Sequence, residues 1–108
     1  MYTIEGTKIT LTKGDSFYCQ IALKKDGNPY TPEQGDSIRF VMKKHYTDTE
    51  AVIEKTIPTD TCVLYISPTD TKTLSCGTYQ YDIEITMSDG DIDTFINRAE
   101  FEIVPEVG

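Results

Sequence analysis

The side chains able to do chemistry in this chain are few and scattered. His45 is the single histidine, so a nucleophile and base pair would have to unite it with a serine or cysteine from elsewhere in the fold. Its neighbours Lys43, Lys44, Tyr46 and Thr47 instead describe a strand end running into a loop, which favours an exposed imidazole over a general base. Asp89, Asp91 and Asp93 alternate as the first oxygen ligands of a calcium loop do. The rest of that pattern fails, because Gly90 comes too early and no glutamate stands at the bidentate position. Asp82, Glu84, Glu100 and Glu102 could bring carboxylates together across paired strands, the arrangement that acid–base hydrolysis uses. They fall on the outward phases of strands whose other faces are apolar, so the expectation is a solvated charged face that guards against aggregation.

Three cysteines, Cys19, Cys62 and Cys76, cannot all pair, and none has the spacing of a zinc ligand set. Cys19 and Cys62 lie on the apolar phases of their segments and read as reduced, small hydrophobes; a Cys19–Cys62 bridge across a sandwich is the alternative. There is no phosphate-cradling glycine loop, no nucleophile elbow and no aromatic–basic interleaving. No catalytic, cofactor-binding or metal-ligating residue is expected, and no cofactor. Tyr18 and Tyr65, on outward phases, are the side chains suited to recognising a protein or a sugar.

The elements that must position these residues are short. Residues 15–24 place Phe17, Cys19, Ile21 and Leu23 on one face and Ser16, Tyr18, Gln20 and Lys24 on the other, the alternation of a strand with one wet side. The same period puts Ile38, Phe40 and Met42 inward in 37–44, and Cys62, Leu64 and Ile66 inward in 61–67. In 78–87 it does so for Tyr79, Tyr81, Ile83, Ile85 and Met87, the clearest strand of all. Ser88-Asp89-Gly90-Asp91 then predicts a hairpin with Asp-Gly at the centre of a two-residue loop. Its return strand, 92–104, is interrupted near Asn97-Arg98-Ala99, where the apolar phase changes as it does at a bulge. Further strands are expected over 7–12, with Lys8 to Leu11 at an edge, and over 51–57. Residues 67–74 hold the one candidate helical turn, with Pro68 in the first turn and Asp70 near enough to cap it.

Seven to eight short strands in antiparallel order predict an all-β sandwich. In Gly77-Thr78-Tyr79 a tyrosine opens the clearest strand just after a corner, where immunoglobulin-like folds use a tyrosine hydroxyl to tie the corner to nearby backbone. The fold class expected is therefore an immunoglobulin-like antiparallel β-sandwich, with residues 1–108 as one domain. At 108 residues such a chain buries roughly two thirds of its unfolded surface without staples.

Charge and hydropathy narrow the function. No apolar run approaches the eighteen or so residues of a membrane span, and Met1 to Gly6 lacks the basic and apolar regions of a secretory leader. Synthesis and retention in a cytoplasm and no membrane insertion follow as expectations. The net charge is −8. Residues 1–57 carry eight acidic and eight basic side chains, whereas residues 58–108 carry ten acidic against Lys72 and Arg98. Such a surface repels phosphate backbones and disfavours nucleic acid. It either serves solubility or gives the domain an acidic end and a lysine-bearing end, able to stack on a homo-oligomeric neighbour or a basic partner.

Three stretches carry a family resemblance. They are Met1-Tyr2-Thr3-Ile4-Glu5-Gly6 with Ile9-Thr10-Leu11-Thr12-Lys13-Gly14-Asp15, Tyr30-Thr31-Pro32 with Gly35-Asp36-Ser37-Ile38-Arg39-Phe40, and Gly77-Thr78-Tyr79-Gln80-Tyr81-Asp82-Ile83 with Asp89-Gly90-Asp91-Ile92-Asp93-Thr94. Together they resemble small prophage-encoded proteins of Gram-positive gut bacteria and are similar to the N-terminal immunoglobulin-like domain of phage baseplate upper proteins. The resemblance implies a non-catalytic tail or baseplate module made in the host bacterial cytoplasm, whose partners are other phage structural proteins and whose destination is the virion. Its motifs are turn and strand markers, so it supplies no binding residue. Asp89, Asp91 and Asp93, and Lys24, Lys25, Lys43 and Lys44, are the charges expected to direct such contacts. A particle-surface module that binds carbohydrate through Tyr18 and Tyr65 is the second reading.

Overall fold

Period-two alternation gives most segments one dry face, and those faces meet in a single core. The computed structural model of the chain describes residues 2–25 and 28–106. Its strands are β1 (Tyr2–Glu5), β2 (Lys8–Thr12), β3 (Phe17–Gln20), β4 (Lys24–Lys25), β5 (Asn28–Pro29), β6 (Ser37–Lys43), β7 (Ile53–Ile57), β8 (Val63–Ile66), β9 (Gly77–Thr86) and β10 (Ile92–Val104), with helix α1 (Pro68–Lys72) before β9. The fold is all-β. Six strands form one sheet in the order β1-β2-β10-β9-β6-β7, while β3 and β8 form a two-stranded ribbon and β4 and β5 a short hairpin.

Phe17, Leu64 and Ile66 turn from the ribbon toward Leu11, Phe40, Ile83 and Phe101 of the large sheet, and all seven are buried in one cluster. Phe101 is its hub, with ring centroids 6.1 Å from Phe17, 6.4 Å from Phe40 and 6.1 Å from Tyr81. Burying such a ring stabilises the fold by about 1.5–3 kcal/mol relative to leaving it in water. Ile38, Phe40 and Met42 on β6, and Tyr79, Tyr81, Ile83 and Ile85 on β9, are buried as their alternation demands.

Several expectations need correction. There are ten strands among the described residues, not seven or eight. The order is not wholly antiparallel, since β2 runs parallel to β10 with Phe101 beside Ile9 and Ile103 beside Leu11. Lys8 to Leu11 is not at an edge either, because β1 pairs with the other side of β2, Tyr2 opposite Leu11 and Glu5 opposite Lys8. The expected strand over 15–24 shortens to β3, although Leu23 beyond it is still buried.

The β9–β10 hairpin forms, with a different tip. The Gly90 N–H donates to the Met87 carbonyl at 2.8 Å and the Met87 N–H to the Asp91 carbonyl at 2.7 Å. The loop therefore holds three residues, Ser88, Asp89 and Gly90, and Gly90 sits at φ 96°, the left-handed position such loops reserve for glycine. The interruption expected near Asn97 is present as a register shift between Ile96 and Ala99, and a second shift lies between Thr94 and Ile96. Each inserts one residue and reverses the phase: Ile92 and Thr94 are exposed, the first shift turns Ile96 toward the core, and the second keeps Ala99, Phe101 and Ile103 on that same side. Arg98, at φ 53°, donates its N–H to Asp82 Oδ1 at 2.7 Å, so the bulged backbone is satisfied by a side chain.

Two local expectations are met at the other end of β9. The Tyr79 hydroxyl donates to the Ser75 carbonyl at 2.6 Å and ties the corner down. In α1, Pro68 stands in the first turn and the Asp70 carboxylate accepts from the Ser67 N–H at 2.8 Å and the Ser67 hydroxyl at 2.9 Å. Lys55 of β7 completes this cap at 2.8 Å. Burial works against the Asp70 charge, but the hydrogen bonds from Lys55 and Ser67 outweigh it and hold the carboxyl below its usual range. The thiols of Cys19, Cys62 and Cys76 are free. Cys19 faces Leu64 across the ribbon and the Ile21 N–H donates to the Cys62 carbonyl at 2.7 Å. Cys19 and Cys62 are thus diagonal neighbours within one ribbon, on the order of 7–8 Å apart, and do not oppose each other across two layers.

Candidate functional site

Among the described residues the surface offers four places where polar or aromatic side chains gather, and the strand directions decide which residues share each one. β6 starts, and β9 ends, at the hairpin tip. The 30–36 loop is fastened to this end by one carboxylate. Asp36 Oδ1 accepts the Ser88 N–H at 3.0 Å, and Asp36 Oδ2 accepts the Glu33 N–H at 2.8 Å and the Tyr30 hydroxyl. The hydrogen bond to Asp36, aided by desolvation and by the charges of Asp36, Glu33 and Asp89, pushes the Tyr30 hydroxyl up to about 12. Asp89, Asp91 and Asp93 are all exposed here. Asp89 Oδ1 is occupied by the Asp91 N–H at 3.0 Å, so this carboxylate shapes the turn. Among the described residues, no three His, Cys, Asp or Glu side chains converge into a set that could hold a metal ion.

The segment that carries Lys24 and Lys25 and the one that carries Lys43 and Lys44 lie at different ends of the fold. β4, with Lys24 and Lys25, leads through β5 into Tyr30 and so lies at the acidic tip. Lys43 and Lys44 end β6 at the opposite pole. Sequence halves are therefore not spatial halves. The opposite pole carries Lys44, whose ammonium sits 4.6 Å above the Tyr79 ring. It also carries Lys13 and Lys72, which with Glu106 line a shallow depression beside α1. His45 belongs to this pole as well, on an exposed turn whose backbone N–H donates to Asp48 Oδ2 at 3.1 Å. The open depression beside it is lined by Lys44, Tyr46, Thr47, Thr78, Gln80 and Glu100, with neither serine nor cysteine.

Tyr18 and Tyr65 stand on the outer face of the β3–β8 ribbon, directly opposite each other. They are 56% and 40% exposed. Their rings stack on one another at 4.5 Å between centroids and 26° between planes, so each tyrosine spends one face on the other. Desolvation, then the hydrogen bond and charge of Tyr65, raise the Tyr18 hydroxyl above its ordinary value.

The carboxylates of β9 and β10 separate into two groups. Lys8, brought alongside by the parallel β2–β10 pairing, lies 3.8 Å from Glu100 and 3.8 Å from Glu102. Asp82 and Glu84 instead face a trench of about 300 Å³ on the outer side of the large sheet. Cross-strand register builds its floor, with Arg39 opposite Glu84, Val41 opposite Asp82 and Lys43 opposite Gln80. Glu54 of β7 pairs with Arg39. Tyr46, Thr49 and Ala51 from the β6–β7 loop form the rim. Two contacts hold that loop over the sheet. The Tyr46 N–H donates to Gln80 Oε1 at 3.0 Å, and the Arg98 guanidinium lies 4.0 Å from the Tyr46 ring centroid.

Reading by residue type missed this trench. The signal available was the outward phase of two strands, Arg39, Val41 and Lys43 against Gln80, Asp82 and Glu84; the register that aligns them and the loop that roofs them are not legible in it. No protein-family model and no curated protein matches the chain.

Proposed function

We propose that this chain is a non-catalytic structural module of immunoglobulin-like type that joins a phage tail or baseplate assembly through protein–protein contacts made by its two poles. The observation that carries the reading is the strand order around the Tyr79 corner. In immunoglobulin-like sandwiches the last two strands and a central strand share one sheet, a separate sheet holds the strands that flank them in sequence, and a tyrosine near the start of the penultimate strand bonds back to the corner. The sequence β10-β9-β6-β7, the facing β3–β8 ribbon and the Tyr79 to Ser75 bond support that likeness. It agrees with the resemblance to the N-terminal domain of baseplate upper proteins.

The mechanism is geometric. One pole presents Glu33, Asp89, Asp91 and Asp93 near β4 with its Lys24 and Lys25, and the other presents Lys13, Lys44 and Lys72 with Glu106, so a neighbour whose charges match this pattern is selected by orientation. Many copies in one particle add modest contacts into a stable assembly. The test is charge reversal at the acidic tip, Asp89→Lys with Asp91→Lys and Asp93→Lys, introduced into the prophage and scored by counting intact particles in electron micrographs. The proposal expects a marked loss of assembled tails with the variant still folded. Particle numbers equal to wild type would remove the electrostatic part.

A further inference from the structure

We propose that the trench across β6, β7 and β9 is a binding site for a neutral saccharide. Its middle and its flanks have opposite hydrogen-bonding character. The central strand β6 contributes the donors Arg39 and Lys43, while Glu54 on the β7 side and Asp82 and Glu84 on the β9 side contribute acceptors, with Gln80 able to do both. A small cation entering the trench meets Arg39 and Lys43, and a small anion meets Glu54, Asp82 and Glu84. A sugar hydroxyl, which donates and accepts at once, can engage both sets.

The volume, about 300 Å³, is at the lower end of ligand pockets and suits one or two sugar rings. The fixed parts are already in place. Glu54 pairs with Arg39 and orients its guanidinium fork, and Arg98 and Gln80 hold the Tyr46 loop at the rim. Tyr46 is 51% exposed; the Arg98 guanidinium covers one face of its ring, and the other is the amphipathic surface against which a sugar's C–H face can pack. This site stands independently of any role in phage assembly.

The test is a set of amide correlation spectra of the whole chain titrated with glucose, galactose, rhamnose and N-acetylglucosamine, with arginine methyl ester as a cationic control. At least one sugar is expected to move the amides of Tyr46, Thr49, Gln80 and Glu84 in a saturable way while those of Tyr18 and Tyr65 stay still. Tyr46→Ala should weaken that sugar about tenfold, and Glu84→Gln should weaken it in a background whose spectrum stays dispersed. Shifts centred on Tyr18 and Tyr65, a response to the arginine ester alone, or no saturable shift with any sugar would each overturn the proposal.

Discussion

Replacing Tyr79 by Phe removes one oxygen and leaves the rest of the corner in place. The hydroxyl donates to the Ser75 carbonyl at 2.6 Å, while the ring is buried among core side chains and stays there in the variant. The loss is therefore that of one well-formed hydrogen bond, about 0.5–1.5 kcal/mol net, with the upper figure applying if water cannot reach the abandoned Ser75 carbonyl. For a domain of about 100 residues, 1 kcal/mol displaces the melting temperature by about 4–8 °C. The chain has no tryptophan, so far-ultraviolet circular dichroism during thermal and urea unfolding is the appropriate readout. The control is Tyr18→Phe, which removes an exposed hydroxyl and should stay within about 0.5 kcal/mol of wild type. The reasoning fails if Tyr79→Phe melts with the wild type, or if Tyr18→Phe is the more damaging change.

Phe101→Ala empties the hub of the aromatic cluster and should cost about 3–5 kcal/mol, a large part of the 5–15 kcal/mol that such domains possess, which a urea midpoint would report. Gly35→Ala should also destabilise, because Gly35 lies at φ 95° and an added Cβ would stand 3.0 Å from the Ser88 Cβ; a melt at or above the wild-type temperature would contradict this. Burial, with a smaller contribution from Cys19, pushes Tyr81 up to about 12, and Tyr30 is pushed up to about 12 beside Asp36. A raised phenol pKa contributes stability that is complete below the unfolded value near 10 and is lost as the pH rises through the folded one. Titrated by circular dichroism, the fold should accordingly weaken between about pH 10 and 12. Asp70, held below its usual range, contributes stability present above the unfolded carboxyl pKa of about 4 and lost as the pH falls through the folded value, so Lys55→Met should flatten the acid limb.

What was legible in the sequence was local. Alternation in 37–44 and 78–87 named the buried faces of β6 and β9, because those strands are regular and one of their faces is dry. Gly77-Thr78-Tyr79 identified the corner, and Ser67-Pro68 with Asp70 identified α1. What escaped depended on partners distant in the chain. Nothing near Lys8 indicates that β10 will run beside it, so neither the parallel pair nor the position of Lys8 between Glu100 and Glu102 could be read. Counting charge by halves failed for the same reason, as β4 and the end of β6 lie at opposite poles. The three-residue tip at Ser88-Asp89-Gly90 differs from a two-residue loop only in which pair closes it, and Asp-Gly occurs in both.

The central proposal is that this chain is a component of a phage particle, and the most direct measurement is quantitative mass spectrometry of particles purified after prophage induction, scaled to tail and capsid peptides of the same preparation. The account predicts this chain in fixed stoichiometry with the tail proteins, co-purifying through each step. Tail proteins recovered in full without it would contradict the account.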